Sequence, residues 1–147
     1  LGLNQSLAGD VLLLGTAVCL MLVLLFREGA AVFAEIRLTP RALLATLGYI
    51  GYFLRELVRA NLSVAKIVLA PDLPVHPGIV MVRTALKSRM GRLMLANSIT
   101  LTPGTLSVAL EGEWLYVHWV NTTTTDVEKA TAEIVAGFEA YLEVMYG

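Results

Sequence analysis

Five ionisable side chains lie in or beside the most apolar stretches of this chain: Asp10, Arg55, Glu56, Arg59 and Lys66. Such groups are costly against lipid unless they snorkel, pair, or line an ion path. Asp10 and Glu56 are the two that can carry a proton, and two carboxylates make no continuous path. The better reading is snorkelling, or pairing with neighbouring subunits. Ser98 lies in the polar run Asn97-Ser98-Ile99-Thr100, with no base close by in sequence to activate it as a nucleophile. His76 sits in a proline-rich connector, Pro74-Val75-His76-Pro77-Gly78, and His118 in an alternating strand pattern, so both read as structural. There is no Walker A sequence, no G-x-G-x-x-G, no H-E-x-x-H and no C-x-x-C. With one cysteine, Cys19, neither an internal disulfide nor a cysteine-rich metal site is available. The expectation is a chain that is not an enzyme, with no catalytic residues, no cofactor and no metal.

These residues are carried by a chain of uneven character. Hydrophobic residues make up 56% of its 147 residues and charged residues 16%, against roughly 45–50% and about 25% in soluble domains. Mean hydropathy is +0.70, which excludes disorder and points to a membrane portion. Residues 1–70 hold six cations against four anions, and residues 71–147 five cations against eight anions. The net charge of −1 leaves no global basic field to hold nucleic acid.

The uncharged run Val11–Phe26, extended to about residue 7, approaches the roughly 20 residues that cross a bilayer core. No basic segment precedes it and no A-x-A site follows, which argues against a cleaved signal peptide. Thr39-Pro40 is a helix start, and no further proline occurs until Pro71, so a long helix is expected over about 40–70. Ala42–Leu54 is uncharged. Beyond it, Arg55, Arg59 and Lys66 share one face and Leu54, Val58, Leu62, Ala65 and Leu69 another. Gly48 and Gly51 would let another helix approach closely. This helix either crosses the membrane or lies along a partner. Orientation is open at this level: Arg83, Lys87, Arg89 and Arg92 favour a cytoplasmic C-terminal part, but the loop Arg27–Arg41 is also basic.

Leu93–Leu110 carries no charge, yet it is polar in character and broken by Pro103-Gly104, so it reads as a helix, a turn and a strand, not as a span. Strands are expected at Ile79–Thr84, Thr105–Leu110 and Trp114–Val120, the last two forming a hairpin through Glu111-Gly112-Glu113. A helix is expected over Arg89–Ile99. Thr125-Asp126-Val127-Glu128 reads as a capping box, followed by one helix with the stripe Val127, Ala130, Ile134, Phe138, Tyr141 and Met145. Glu128, Glu133, Glu139 and Glu143 should mostly face away. The expected architecture is a membrane α-helical N-terminal part, residues 1–70, and a small cytoplasmic α/β domain of order β-α-β-β-α, residues 71–147.

In the order Leu54-Arg55-Glu56-Leu57, Asn61–Leu69, Pro77–Val80, Leu86-Lys87-Ser88, Leu95–Thr105 and Tyr116–Trp119, the sequence resembles the MnhE family, the E-type subunits of Mrp-type multisubunit Na+/H+ antiporters. The resemblance covers about residues 40–147, and Ala96–Thr105 is its most specific string. Family members usually carry a further hydrophobic helix ahead of the one seen here. This chain begins at Leu1, so that helix is either trimmed or absent. The resemblance implies an accessory, non-catalytic subunit of a cation/proton antiporter that supports assembly and stability. The implied location is the plasma membrane of a prokaryote, multi-pass, with a cytoplasmic C-terminal domain, and the implied partners are other membrane subunits and the lipid bilayer. Close relatives also occur in the membrane arm of membrane-bound hydrogenases, which is the alternative assembly. Asn97, Ser98, Thr100, Thr102, Pro103, Gly104 and Thr105 form the family motif. Asn97 and Thr102 are expected to bond backbone groups at a helix end, and Pro103 and Gly104 to set a turn. That turn and the Arg83–Arg92 cluster are a candidate docking surface.

Overall fold

The computed structural model describes residues 9–26, 35–37 and 39–147. They fall into two compact units, Leu1–Ala34 and Glu35–Gly147. In the first, helix α1 spans Gly9–Leu25, with Asp10 in its first turn and Cys19 exposed. At 17 residues it reaches about 26 Å, short of a core roughly 30 Å thick. Among the described residues, no helix is both long and apolar enough to cross a membrane. The expected span began at residue 7, and residues 7 and 8 lie outside the described residues, as does Arg27 of the basic loop.

Helix α2, Pro40–Leu69, starts and stops where its punctuation dictates. The Thr39 side chain accepts from the Ala42 N–H at 3.2 Å, proline fills the first turn, and the chain turns extended at Ala70 ahead of Pro71. This helix belongs to the second compact unit, Glu35–Gly147.

Strands β1 (Gly78–Arg83), β2 (Thr105–Glu111) and β3 (Trp114–Trp119) form an antiparallel sheet of order β1-β3-β2. Val80 faces Val117 and Val82 faces Leu115. The β2–β3 hairpin turns at Gly112, whose φ of +61° suits glycine. A register shift between Ser107 and Ala109 bulges the strand at Val108. Val80, Val82, Leu115 and Val117 are buried beneath the helices, while Ile79, Leu106 and Val108 on the opposite face are exposed.

Helix α3, Arg89–Leu101, packs on β2, and α4, Val127–Ile134, packs on β1. Helix α5, Ala136–Tyr146, packs on α3 and α2. The final helical segment is therefore two helices, not one, and the order becomes β-α-β-β-α-α. The break falls at Val135, fully buried, one residue before α5 begins. It resets the helical register, so Leu142 and Tyr146 join the expected stripe of Ala130, Ile134, Phe138 and Met145 in the core. The cap of α4 also differs: Asp126, not Thr125, accepts from the Lys129 N–H, at 2.9 Å. Glu139 does not face away. Its carboxylate accepts from the Thr84 hydroxyl and from the Ala85 N–H at 2.8 Å, tying α5 to the end of β1.

Candidate functional site

The motif residues form the polar fastening of the C-terminal end of α3. The last carbonyls of a helix have no intrahelical partner. Thr102 Oγ1 donates to the Ser98 carbonyl at 2.8 Å, and Thr105 Oγ1 donates to the Ile99 carbonyl at 2.6 Å. Thr100 Oγ1 accepts from the Ser107 N–H at 3.1 Å, and Ser107 Oγ donates to the Ala96 carbonyl at 2.9 Å, so the helix end is stitched to β2. Pro103 and Gly104 make the turn. Gly104 adopts φ +95°, and its carbonyl accepts from the Val120 N–H at 2.9 Å. Asn97 departs from expectation: it is exposed and makes none of these bonds.

Ser98 is buried inside the domain, not presented to a substrate. Its hydroxyl donates to the Met94 carbonyl at 2.6 Å, so the Tyr49 hydroxyl, 2.5 Å away, supplies the proton of their mutual bond. Tyr49 belongs to α2, which this bond fixes to α3. Tyr52, Phe53 and Tyr49 of α2 gather round Phe138 of α5, with ring centroids 5.1 to 6.4 Å apart. Gly48 admits the Tyr141 ring: a β-carbon there would stand 2.7 Å from it. Gly51, by contrast, faces open space. Glu35 binds the other end of α3, accepting from the Ser88 hydroxyl and from the Met90 N–H at 3.0 Å. The Ser88 bond first, and the Met90 N–H next, hold the Glu35 carboxyl below its ordinary value of 4.5.

The C-terminal half of α2 and the motif turn enclose an open cleft of about 210 Å³. Glu56, Arg59 and Ser63 line it from α2, Thr102–Thr105 from the turn, and Asn121, Thr123 and Glu133 from the far side. The structure thus brings Glu56 and Arg59 together with Thr102, Pro103, Gly104 and Thr105 of the motif. Both carboxylates are engaged: Glu56 lies 3.6 Å from Arg59, and Glu133 accepts from Thr123 Oγ1 at 3.0 Å. Arg55, one turn before Arg59 on the same flank of α2, does not line the cleft and is exposed. His76 forms a bridge with Asn121, and His118 sits on the outer face of the sheet in register with Ile79. Among the described residues, no group of three or more His, Cys, Asp or Glu is disposed to hold a metal ion. The cleft offers hydrogen-bond donors, acceptors and apolar walls, which is the chemistry of recognition.

The basic cluster divides. Arg83 pairs with Glu113 at 2.9 Å and lies 5.7 Å from the Trp114 ring centroid, and Arg92 Nε donates to the Leu86 carbonyl at 2.6 Å. Lys87 and Arg89 remain exposed. Sequence reasoning missed Tyr49, Tyr52, Asn121 and Glu133. The first two recur at i, i+3 on the side of α2 away from its leucines, a signal present but outweighed by the leucine stripe.

The second unit is a domain of helices on one face of a three-stranded antiparallel sheet, fastened by this motif. Comparison with known proteins gives its family. The chain belongs to the MNHE family, Na+/H+ ion antiporter subunit, which matches residues 1–145. It is 40% identical over 107 residues to the E-type subunit of the Na(+)/H(+) antiporter of Alkalihalophilus pseudofirmus, covering 71% of this chain and 66% of that protein. It is 40% identical over 93 residues to the corresponding Na(+)/H(+) antiporter protein of Bacillus subtilis, covering 62% and 58%. The chain spans less than two thirds of the length of these relatives. Among solved structures it is similar to a chain of the membrane-bound sulfane sulfur reductase, an archaeal respiratory membrane complex. That match has 38% identity and a TM-score of 0.73, over 97% of this chain and 88% of that one.

Proposed function

We propose that this chain is an accessory, non-catalytic subunit of a multisubunit cation/proton antiporter in the plasma membrane of a prokaryote, supporting assembly and stability. Membership of the antiporter-subunit family carries the reading. Its support in the molecule is how the motif is spent: Ser98 bonds α3 to α2, Thr100 and Thr105 tie α3 to β2, and Thr102 closes the last turn of α3. The Glu56–Arg59 cleft beside them is a place for a segment of a neighbouring subunit. The α/β unit lies on the cytoplasmic side, a placement supported by exposed Lys87 and Arg89 under the positive-inside rule.

The second reading is a homologous subunit in the membrane arm of a redox-driven complex. The likeness to a chain of an archaeal respiratory membrane complex, over nearly all of this chain, favours it. Affinity purification from native membranes in mild detergent, with mass spectrometry of the co-purifying chains, separates the two. Large antiporter-like subunits alone support the antiporter. The same subunits with iron–sulfur or nickel–iron proteins support the redox complex. A monodisperse chain without partners overturns both.

A further inference from the structure

Helix α2 has two apolar sides, and the domain uses one. Ala42 and Tyr49 are buried, with Ala45, Tyr52 and Phe53 packed against the same core. On the other side Leu43, Leu47, Ile50, Leu54, Val58 and Leu62 follow one another at spacings of 3 and 4, and each is between 47% and 68% exposed. A stripe of this length is not left to water without reason. Along one flank of it runs a row of exposed cations: Arg41, Arg55, Arg59 and Lys66. At 100° per residue these four fall within about 40° of each other. The helix has one anion, Glu56, which sits towards the packed side with its side chain 16% exposed.

This arrangement argues against a crossing by α2. Its uncharged half, Ala42–Leu54, is the half whose other side carries Tyr49 bonded to Ser98 and the rings on Phe138. Inserting it through a bilayer would draw an α/β domain, with its charged surface and open sheet edges, into hydrocarbon. An apolar stripe flanked by cations, without matching anions, complements a surface that is apolar below and anionic above. Arg59 already faces Glu56 at 3.6 Å, and among the described residues Arg41, Arg55 and Lys66 form no ion pair.

We infer that α2 lies flat on the anionic phospholipid surface, its Leu43–Leu62 stripe seated at the headgroup–acyl boundary and Arg41, Arg55 and Lys66 on headgroup phosphates. The inference rests on the membrane location proposed above. It makes α2 the docking element of the domain, and any crossings of the chain then come from segments ahead of it.

The test uses the full chain with Cys19→Ser and single nitroxide labels at Leu43→Cys, Leu47→Cys, Leu54→Cys, Val58→Cys and Leu62→Cys, in nanodiscs of phosphatidylethanolamine and phosphatidylglycerol. Collision rates with oxygen and with a water-soluble nickel chelate report depth. A flat helix places all five labels at one shallow depth, with oxygen favoured at each. Depth that passes through the bilayer centre from Leu43 to Leu54 means a crossing and overturns the inference. So does nickel access at all five sites. Arg55→Glu with Lys66→Glu should lift the labels towards water in these discs and leave them unmoved in phosphatidylcholine discs. Equal depth in both disc types removes the anionic-lipid component and overturns the proposal as stated. In native membranes, a photo-cross-linking residue at Leu54 or Val58 should yield lipid adducts. A dominant adduct to a neighbouring protein assigns the stripe to a protein partner instead. Loss of the wild-type chain from washed membranes defeats the membrane reading itself, a result distinct from all of these.

Discussion

Tyr52 of α2 lies so close against Gly137 of α5 that no β-carbon fits between them. The relationship is reciprocal, because Tyr141 of α5 lies against Gly48 of α2 in the same way. Two glycines thus set the spacing of the helix pair that joins α2 to the domain. This spacing lets Tyr49 reach Ser98 and places Glu56 over the motif turn.

Gly48→Ala should therefore destabilise the domain, by about 1–3 kcal/mol, the usual range for overpacking. Gly51→Ala, where a β-carbon meets open space, should be neutral or stabilising by up to about 1 kcal/mol, through helix propensity alone. Thermal unfolding of the two variants in the same detergent measures the contrast. Equal effects would show that α2 does not pack through Gly48.

Ser98→Ala removes the acceptor of the buried Tyr49 hydroxyl and should cost about 1–3 kcal/mol. Tyr49→Phe with Ser98→Ala leaves no orphaned hydroxyl on α2, so the double variant should lose less than the sum of the singles. A double-mutant cycle by chemical denaturation reads this directly. Additive losses would mean that the two hydroxyls do not bond.

Glu35 gives a pH dependence with a definite sign. Its carboxyl is held below the ordinary 4.5 when folded, by the Ser88 hydroxyl first and the Met90 N–H next. Its contribution is therefore present above pH 4.5 and lost as pH falls through the lowered folded value. The melting temperature of the wild type should exceed that of Glu35→Gln at neutral pH and converge on it in acid. A gap that widens on acidification would contradict the geometry.

Arg92→Glu should destabilise the domain by about 1–3 kcal/mol, since its Nε bond to the Leu86 carbonyl is lost. Arg89→Glu, at an exposed side chain, should leave the melting temperature nearly unchanged. Native gels of membranes carrying Lys87→Glu with Arg89→Glu then test docking by the basic cluster without disturbing the fold. Full complex yield from that pair would remove the cluster from the interface.

Much of this molecule is legible in the chain alone. Thr39-Pro40, Pro71 and Glu111-Gly112-Glu113 act over one turn of chain, through fixed φ angles and nearby hydrogen-bond partners. The long helix, the hairpin and the three strands therefore stand within a residue or two of expectation. The same locality made the motif legible as a helix end and a turn. It misled at residues 125–128, where Thr125 and Asp126 are both competent caps and Asp126 takes the role. It also passed over the break at Val135, which has no proline to announce it.

The rest was settled at long range. Both sides of α2 are apolar, so periodicity alone does not say which one is packed. The decision lies in shape: rings on α2 and α5 fit glycines on the other helix, and the Tyr49 hydroxyl finds Ser98, 49 residues further along the chain. Such contacts depend on the meeting of surfaces that no local rule brings together. Residue types and turns are inscribed in the chain itself. The leucine stripe left outside, the cation row beside it and the cleft at Glu56 exist only once the other face of α2 has been used.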